Sequence, residues 1–150
     1  MTRFESRLLG AVFLAGILVT SGRWPNAARD VRVQQLIVDL KSSAGDVRVD
    51  AYRELRGLGP AARAAVPALI EQLEDPWNTD VINALLAIGP GSALEPLTQA
   101  LDTKGSAARG AAMVIAAFGP AARSARPALL KAREDPELRS FAVSALREID

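Results

Sequence analysis

The side chains of this 150-residue chain that could do chemistry are arginines, lysines, carboxylates and hydroxyls, because Cys and His are both absent. Without His, the Ser-His-Asp and Cys-His routes to an activated nucleophile are closed, and so is the commonest transition-metal ligand. Without Cys there is no thiolate, disulfide or zinc–thiolate site. The candidates that remain are Arg53, Arg56, Thr79, Asn83, Arg109, Met113, Ser144 and Arg147. As a set they hold no acid pair, no metal-ligand cluster and no nucleophile beside a base. Their chemistry is that of contact with another protein. The expectation is a binding protein rather than an enzyme, with no cofactor and no metal.

The elements that position these residues follow from a repeat. Gly-Pro occurs at Gly59-Pro60, Gly89-Pro90 and Gly119-Pro120, thirty residues apart each time, and GPAAR occurs at Gly59–Arg63 and again at Gly119–Arg123. A second proline follows each pair, at Pro67, Pro96 and Pro127. Repeats at this period indicate stacked supersecondary units. Val33, Leu36, Ile37 and Leu40 follow the i, i+3, i+4, i+7 pattern of a helix, as do Val66, Leu69, Ile70 and Leu73. The segment before each Gly-Pro aligns in apolar columns: Val47, Trp77, Ala107 and Leu138; Ala51, Val81, Ala111 and Ala142; Leu55, Leu85, Ile115 and Leu146; Leu58, Ile88, Phe118 and Ile149. The small residues Ala51, Ala111 and Ala142 are expected where helices approach closely. Trp77, Tyr52 and Met113 read first as packing residues.

Boundary residues agree with this period. Gly in the left-handed conformation ends a helix, and the Pro after it prevents continuation. Asp75-Pro76 and Asp135-Pro136 read as an N-cap with Pro at the first helical position, and Asp30 and Asp46 as caps of helices starting at Val31 and Val47. The spacing predicts helices over 31–42, 46–58, 64–74, 77–88, 91–102, 106–118, 122–133 and 136–149. Low aromatic content (5%) beside 49% hydrophobic residues suits such an all-α chain.

The N-terminus is read apart from the fold. Arg3 and Arg7 precede an apolar run, Leu8–Val19, and the small residues Thr20, Ser21 and Gly22 follow it. That is the pattern of a secretory signal peptide. The run is shorter than the roughly 20 residues that span a bilayer, and an uncleaved anchor is the alternative. The expected division is therefore 1–22 signal peptide or membrane anchor, 23–30 linker and 31–150 folded domain. The protein is expected to be exported to the periplasm, cell envelope or extracellular space, with membrane contact only through residues 8–19. The formal charge of +1 comes from this leading segment, since Arg3, Arg7 and Glu5 lie within it and the rest balances to zero. A neutral domain is a poor nucleic-acid binder.

The run D-x-R-x-x-A-x-x-x-L-x-x-L-G-P-A-A-x-x-A-V-P-A-L-I-x-x-L-x-D, Asp46 to Asp75, resembles the HEAT-like repeat of the phycobilisome-lyase type. The resemblance extends from Val31 to Asp150 in four imperfect units. The second departs most: Asn78 and Thr79 replace the Val-Arg-like start, and Gly91-Ser92-Ala93 is expected to shorten the following helix. The resemblance implies a right-handed α-solenoid of about four helix–turn–helix repeats, whose second helices line a concave binding face. It also implies structural contacts from Arg48 and Arg139 to neighbouring acids.

With the apolar columns facing the core, the opposite stripe of each second helix is read off by helical spacing. It comprises Val49, Arg53 and Arg56; Thr79, Asn83 and Leu86; Arg109, Met113 and Ala116; Ser140, Ser144 and Arg147. Charge falls in blocks. Glu71, Glu74, Asp75, Asp80, Glu95 and Asp102 occur with no base among them, followed by Lys104, Arg109, Arg123, Arg126, Lys131 and Arg133 with no acid among them. The blocks suit either ion pairing between adjacent units or weak self-association. The leading expectation is a non-enzymatic interaction or scaffold module of the cell envelope that binds another protein. The alternative is an enzyme-assisting subunit of the lyase-like kind that shares this repeat.

Overall fold

The computed structural model describes residues 26–74, 78–103 and 105–150. The described residues are helical and include no strand. Eight α-helices follow in order among them: α1 (Asn26–Asp39), α2 (Gly45–Leu58), α3 (Val66–Glu71), α4 (Thr79–Ile88), α5 (Pro90–Ala100), α6 (Ser106–Ala117), α7 (Arg126–Ala132) and α8 (Arg139–Ile149). Short 3-10 runs occupy Gly59–Ala65, Gln72–Glu74 and Gly119–Ala125. Contacts divide the chain between Arg32 and Val33. Residues 26–32 are the opening turns of α1. The packing described below belongs to Val33–Asp150.

The Gly-Pro pairs end helices, by a different backbone shape from the expected one. Gly59, Gly89 and Gly119 all have positive φ, at 55°, 90° and 56°. The ψ values of Gly59 (−132°) and Gly89 (162°) are extended rather than left-handed helical. That region is open to glycine almost alone. The chain then changes direction within one residue, and the proline lies at the first or second residue of the next helical run.

The two GPAAR segments wind as 3-10 helix, so the helices expected at 64–74 and 122–133 begin α-helical geometry only at Val66 and Arg126. Pro67 and Pro127 are the cause. A proline has no N–H to give the carbonyl four residues back. The carbonyls of Arg63 and Arg123 are taken instead, three residues on, by the N–H groups of Val66 and Arg126. The second unit was expected to have the shortened helix and has the longest of the three after Gly-Pro, since α5 runs from Pro90 with Pro96 inside it.

Other boundaries moved for local reasons. α1 starts at Asn26, so Asp30 lies inside it rather than capping it. Asp46 lies in the first turn of α2, where its carboxylate accepts from the Val47 N–H at 3.0 Å. Asp75-Pro76 falls outside the described residues. The cap of α4 is Asn78, whose side-chain oxygen accepts from the Asp80 and Val81 N–H groups at 3.2 and 3.5 Å. Asp135 accepts from Glu137 N–H at 2.8 Å and holds a turn, and α8 begins after it at Arg139.

Three of the four apolar columns form the core. Ala51, Val81, Ala111 and Ala142 are buried, as are Leu55, Leu85, Ile115 and Leu146. In the fourth, Ile88 and Ile149 are buried while Leu58 and Phe118 are half-buried. The Val47 column is a correction: only Leu138 is buried, Ala107 is half-buried, Trp77 is outside the described residues and Val47 is 37% exposed. α2 packs against α4, and α4 starts at Thr79, two positions later in register than Val47.

The second helices of the repeat sit side by side: α2 against α4, α4 against α6, α6 against α8. They run parallel. Gly59, just after α2, lies against the Ala87 carbonyl near the end of α4, and Gly119, just after α6, faces the Glu148 carbonyl near the end of α8. At the opposite ends Ala108 of α6 clusters with Leu138 and Ala142 of α8. On the other layer α3 packs on α5, and α5 on the 3-10 run Gly119–Ala125.

Candidate functional site

Six of the twelve residues opposite the buried columns line two valleys between neighbouring second helices. Between α2 and α4 lie Val49, Arg53 and Arg56 together with Tyr52 and Asp80. Between α6 and α8 lie Met113, Ala116 and Ser144 together with Ala117, Phe141 and Glu148. These are the same place in the repeat. Arg53 corresponds to Met113, Arg56 to Ala116 and Asp80 to Phe141 in the register of the columns. The first valley, with two arginines in its lining, holds about 30 Å³. The shorter side chains leave the second open at about 340 Å³.

Four of the eight candidate residues therefore line valleys: Arg53, Arg56, Met113 and Ser144. Thr79, Asn83 and Arg147 are exposed on α4 and α8, and Arg109 is half-buried on α6, outside both linings. Met113 is half-buried and lines a valley, so it is not a core residue. Sequence reasoning missed Asp80, Ala117, Phe141 and Glu148. Phe141 carried a signal, since its position is held by Asp50, Asp80 and Gly110 in the other units. An aromatic replaces two acids and a glycine there.

Arg53 is tied to Asp50 one turn earlier, at 2.5 Å. Arg56, Arg109, Arg147 and Glu148 have no ion-pair partner among the described residues. The acidic and basic blocks meet where Lys131 pairs with Asp102 at 2.7 Å, which pushes the Lys131 ammonium up; Lys41, outside the basic block, pairs with Glu71 at 3.4 Å. All four side chains are exposed, so each pair is worth little in stability.

Arg48 and Arg139 make structural contacts, but to carbonyls rather than to acids. Arg48 donates to the Ser42 and Ser43 carbonyls at 2.7 and 3.1 Å, and Arg139 to the Arg133 carbonyl at 3.3 Å. Each reaches six residues back to the turn before its own helix. Arg123 does the same work for α8, donating to the Ile149 and Asp150 carbonyls at 3.1 and 3.0 Å, while Arg126 pairs with the Asp150 carboxylate. Helix ends carry unpaired carbonyls and a partial negative charge, which a guanidinium answers on both counts.

A groove of about 730 Å³ is lined by Leu40, Lys41, Ser42, Arg48, Tyr52, Glu71, Gln72 and Asn78. Tyr52 is 4% exposed at its edge. Burial pushes its phenol above the usual value of 10.0, against the pull of nearby Arg48 and a hydrogen bond with Asn78. A raised value in the folded state means the folded chain holds this proton longer than the unfolded chain. The stabilisation is full below about pH 10 and is lost as pH rises through the folded value. Tyr52 is the one tyrosine of the chain, so tyrosinate absorbance reads it directly. Its midpoint is expected above pH 10 in the native protein and near 10 in urea; equal midpoints would contradict this burial.

Among the described residues no group of three His, Cys, Asp or Glu is placed to hold a metal ion. No described helix is long and apolar enough to cross a membrane, and Leu8–Val19 lies outside the described residues. No family model, curated protein or solved structure matches the chain.

Proposed function

We propose that this chain is a non-enzymatic interaction module: a right-handed α-solenoid of four HEAT-like repeats that docks another protein on the face of its second helices. The observation that carries the reading is the row α2, α4, α6 and α8, each packed on the next, with Val49, Arg53, Arg56, Met113, Ala116 and Ser144 lining valleys on it. The repeated Gly-Pro approach also supports it. Gly59 meets the end of α4 and Gly119 the end of α8 in the same way, sixty residues apart. Stacked units with few chemically reactive groups suit recognition by surface rather than reaction. The basic start, apolar run and small residues over 1–22 support export to the cell envelope, by a cleaved signal or a retained anchor.

A photo-crosslinking residue introduced at Asn83 in the source cells tests the reading. Asn83 is exposed on α4, and Glu95, exposed on α5, serves as the control on the other layer. A discrete adduct from Asn83 that is absent from Glu95 is the expected result. Adducts from Glu95 alone, or from neither site, would remove the second-helix face as the docking surface.

A further inference from the structure

We propose that the valley between α6 and α8 seats an amphipathic helical segment of a partner protein, with two apolar anchors one turn apart and a lysine or arginine one turn beyond the second. This deepens the proposed function and rests on the second-helix face being the docking surface.

The repeat supplies its own comparison. The equivalent valley between α2 and α4 is lined by the polar Arg53, Arg56 and Asp80 and holds about 30 Å³. At α6–α8 the same positions are Met113, Ala116 and Phe141, and the space is open and mainly apolar. The two junctions thus differ in the side chains that line them: two arginines and an aspartate at the first, a methionine, an alanine and a phenylalanine at the second. The floor of the second is firm, because Ala116 and Phe141 pack on the main core. About 340 Å³ lies at the small end of ligand-sized pockets, roughly 300–1,000 Å³. A shallow trough between two helices suits the anchors of a third helix, presented one turn apart.

Charge states which end of the partner goes where. α6 and α8 run parallel, so the valley has a C-terminal end, and Glu148 stands there. Arg123 and Arg126 are committed to the backbone carbonyls of Ile149 and Asp150 and to the Asp150 carboxylate. The Glu148 carboxylate is exposed and has no ion pair among the described residues. The end of α6 adds partial negative charge on the same side. A partner's cation at that end is attracted, and an anion is repelled.

The test uses the full chain and two labelled helical peptides. Both carry two leucines one turn apart; one has two lysines a turn beyond, the other two glutamates. Wild type is expected to bind the lysine peptide about tenfold more tightly. Ala116→Arg places at this junction the side chain that Arg56 supplies at the first, and it should weaken both peptides about tenfold or more. Glu148→Lys should reverse the preference. Ala116 is half-buried and Glu148 exposed, and matching thermal melts check that both variants fold. Equal binding of the two peptides by wild type overturns the proposal, as does unchanged binding by Ala116→Arg. A wild-type dimer in sedimentation that Ala116→Arg makes monomeric also overturns it, because a second copy then covers the valley. Crosslinks from Asn83 would persist in each case, so the two readings fail separately.

Discussion

Gly110→Ala is expected to destabilise the protein by about 2 kcal/mol, the reverse of what alanine does in most helices. Gly110 sits inside α6, where a glycine ordinarily costs roughly 1 kcal/mol relative to alanine. Here the absent methyl is the point. A Cβ at Gly110 would lie 2.9 Å from the Leu73 Cβ and 3.2 Å from the Leu73 carbonyl oxygen. Both belong to parts of the Gln72–Glu74 run that cannot swing aside as the tip of a side chain can. Leu73 is itself fully buried, so shifting it disturbs the core. Gly57→Ala in α2 is the control, since a Cβ there meets nothing within 4 Å. Thermal melts should show Gly110→Ala down by roughly 5–10 °C and Gly57→Ala unchanged or slightly up. A Gly110→Ala protein as stable as the parent would contradict the close approach of α6 to Leu73.

Leu85→Ala should cost more, about 3–4 kcal/mol, by lost burial and the cavity left behind. Leu85 is fully buried in α4, which packs against α2, α3, α5 and α6, so the surroundings are held from several sides and close poorly around a gap. Leu130→Ala on α7 removes the same atoms from a side chain already 37% exposed and should cost less than about 1 kcal/mol. Urea unfolding of the two variants measures the difference. Equal losses would mean that burial does not separate these leucines as described.

The apolar columns were legible because a helix buries one stripe and the stripe repeats with the unit. Ala51, Val81, Ala111 and Ala142 could be aligned from sequence and are buried together. The Gly-Pro ends were legible for a similar reason, since only glycine takes the backbone shape found at Gly59 and Gly89. The partners of Arg48 and Arg139 were not legible. Carbonyl acceptors are present at every residue, so composition cannot tell a carbonyl contact from an acid contact. Nor did the columns reveal that Gly110 faces Leu73, thirty-seven positions earlier in the chain. A lone glycine in a helix signals some constraint without naming the atom that imposes it.

The valleys divide in the same way. The stripe of Arg53, Arg56, Met113 and Ser144 follows from helical spacing alone. That Arg56 lines a narrow valley and Ala116 an open one depends on how far apart adjacent helices stand. So does the joining of Phe141 and Glu148 to that stripe. By itself the sequence determined the helical class of the described residues, the thirty-residue period, the main core columns and the absence of His and Cys chemistry. Those are properties of residue type and spacing within one helix. Only the tertiary structure decided which surface residues share a valley, which arginines are committed to helix ends and where a methyl group cannot fit. Those depend on distances between helices, and residues that lie far apart along the chain set them.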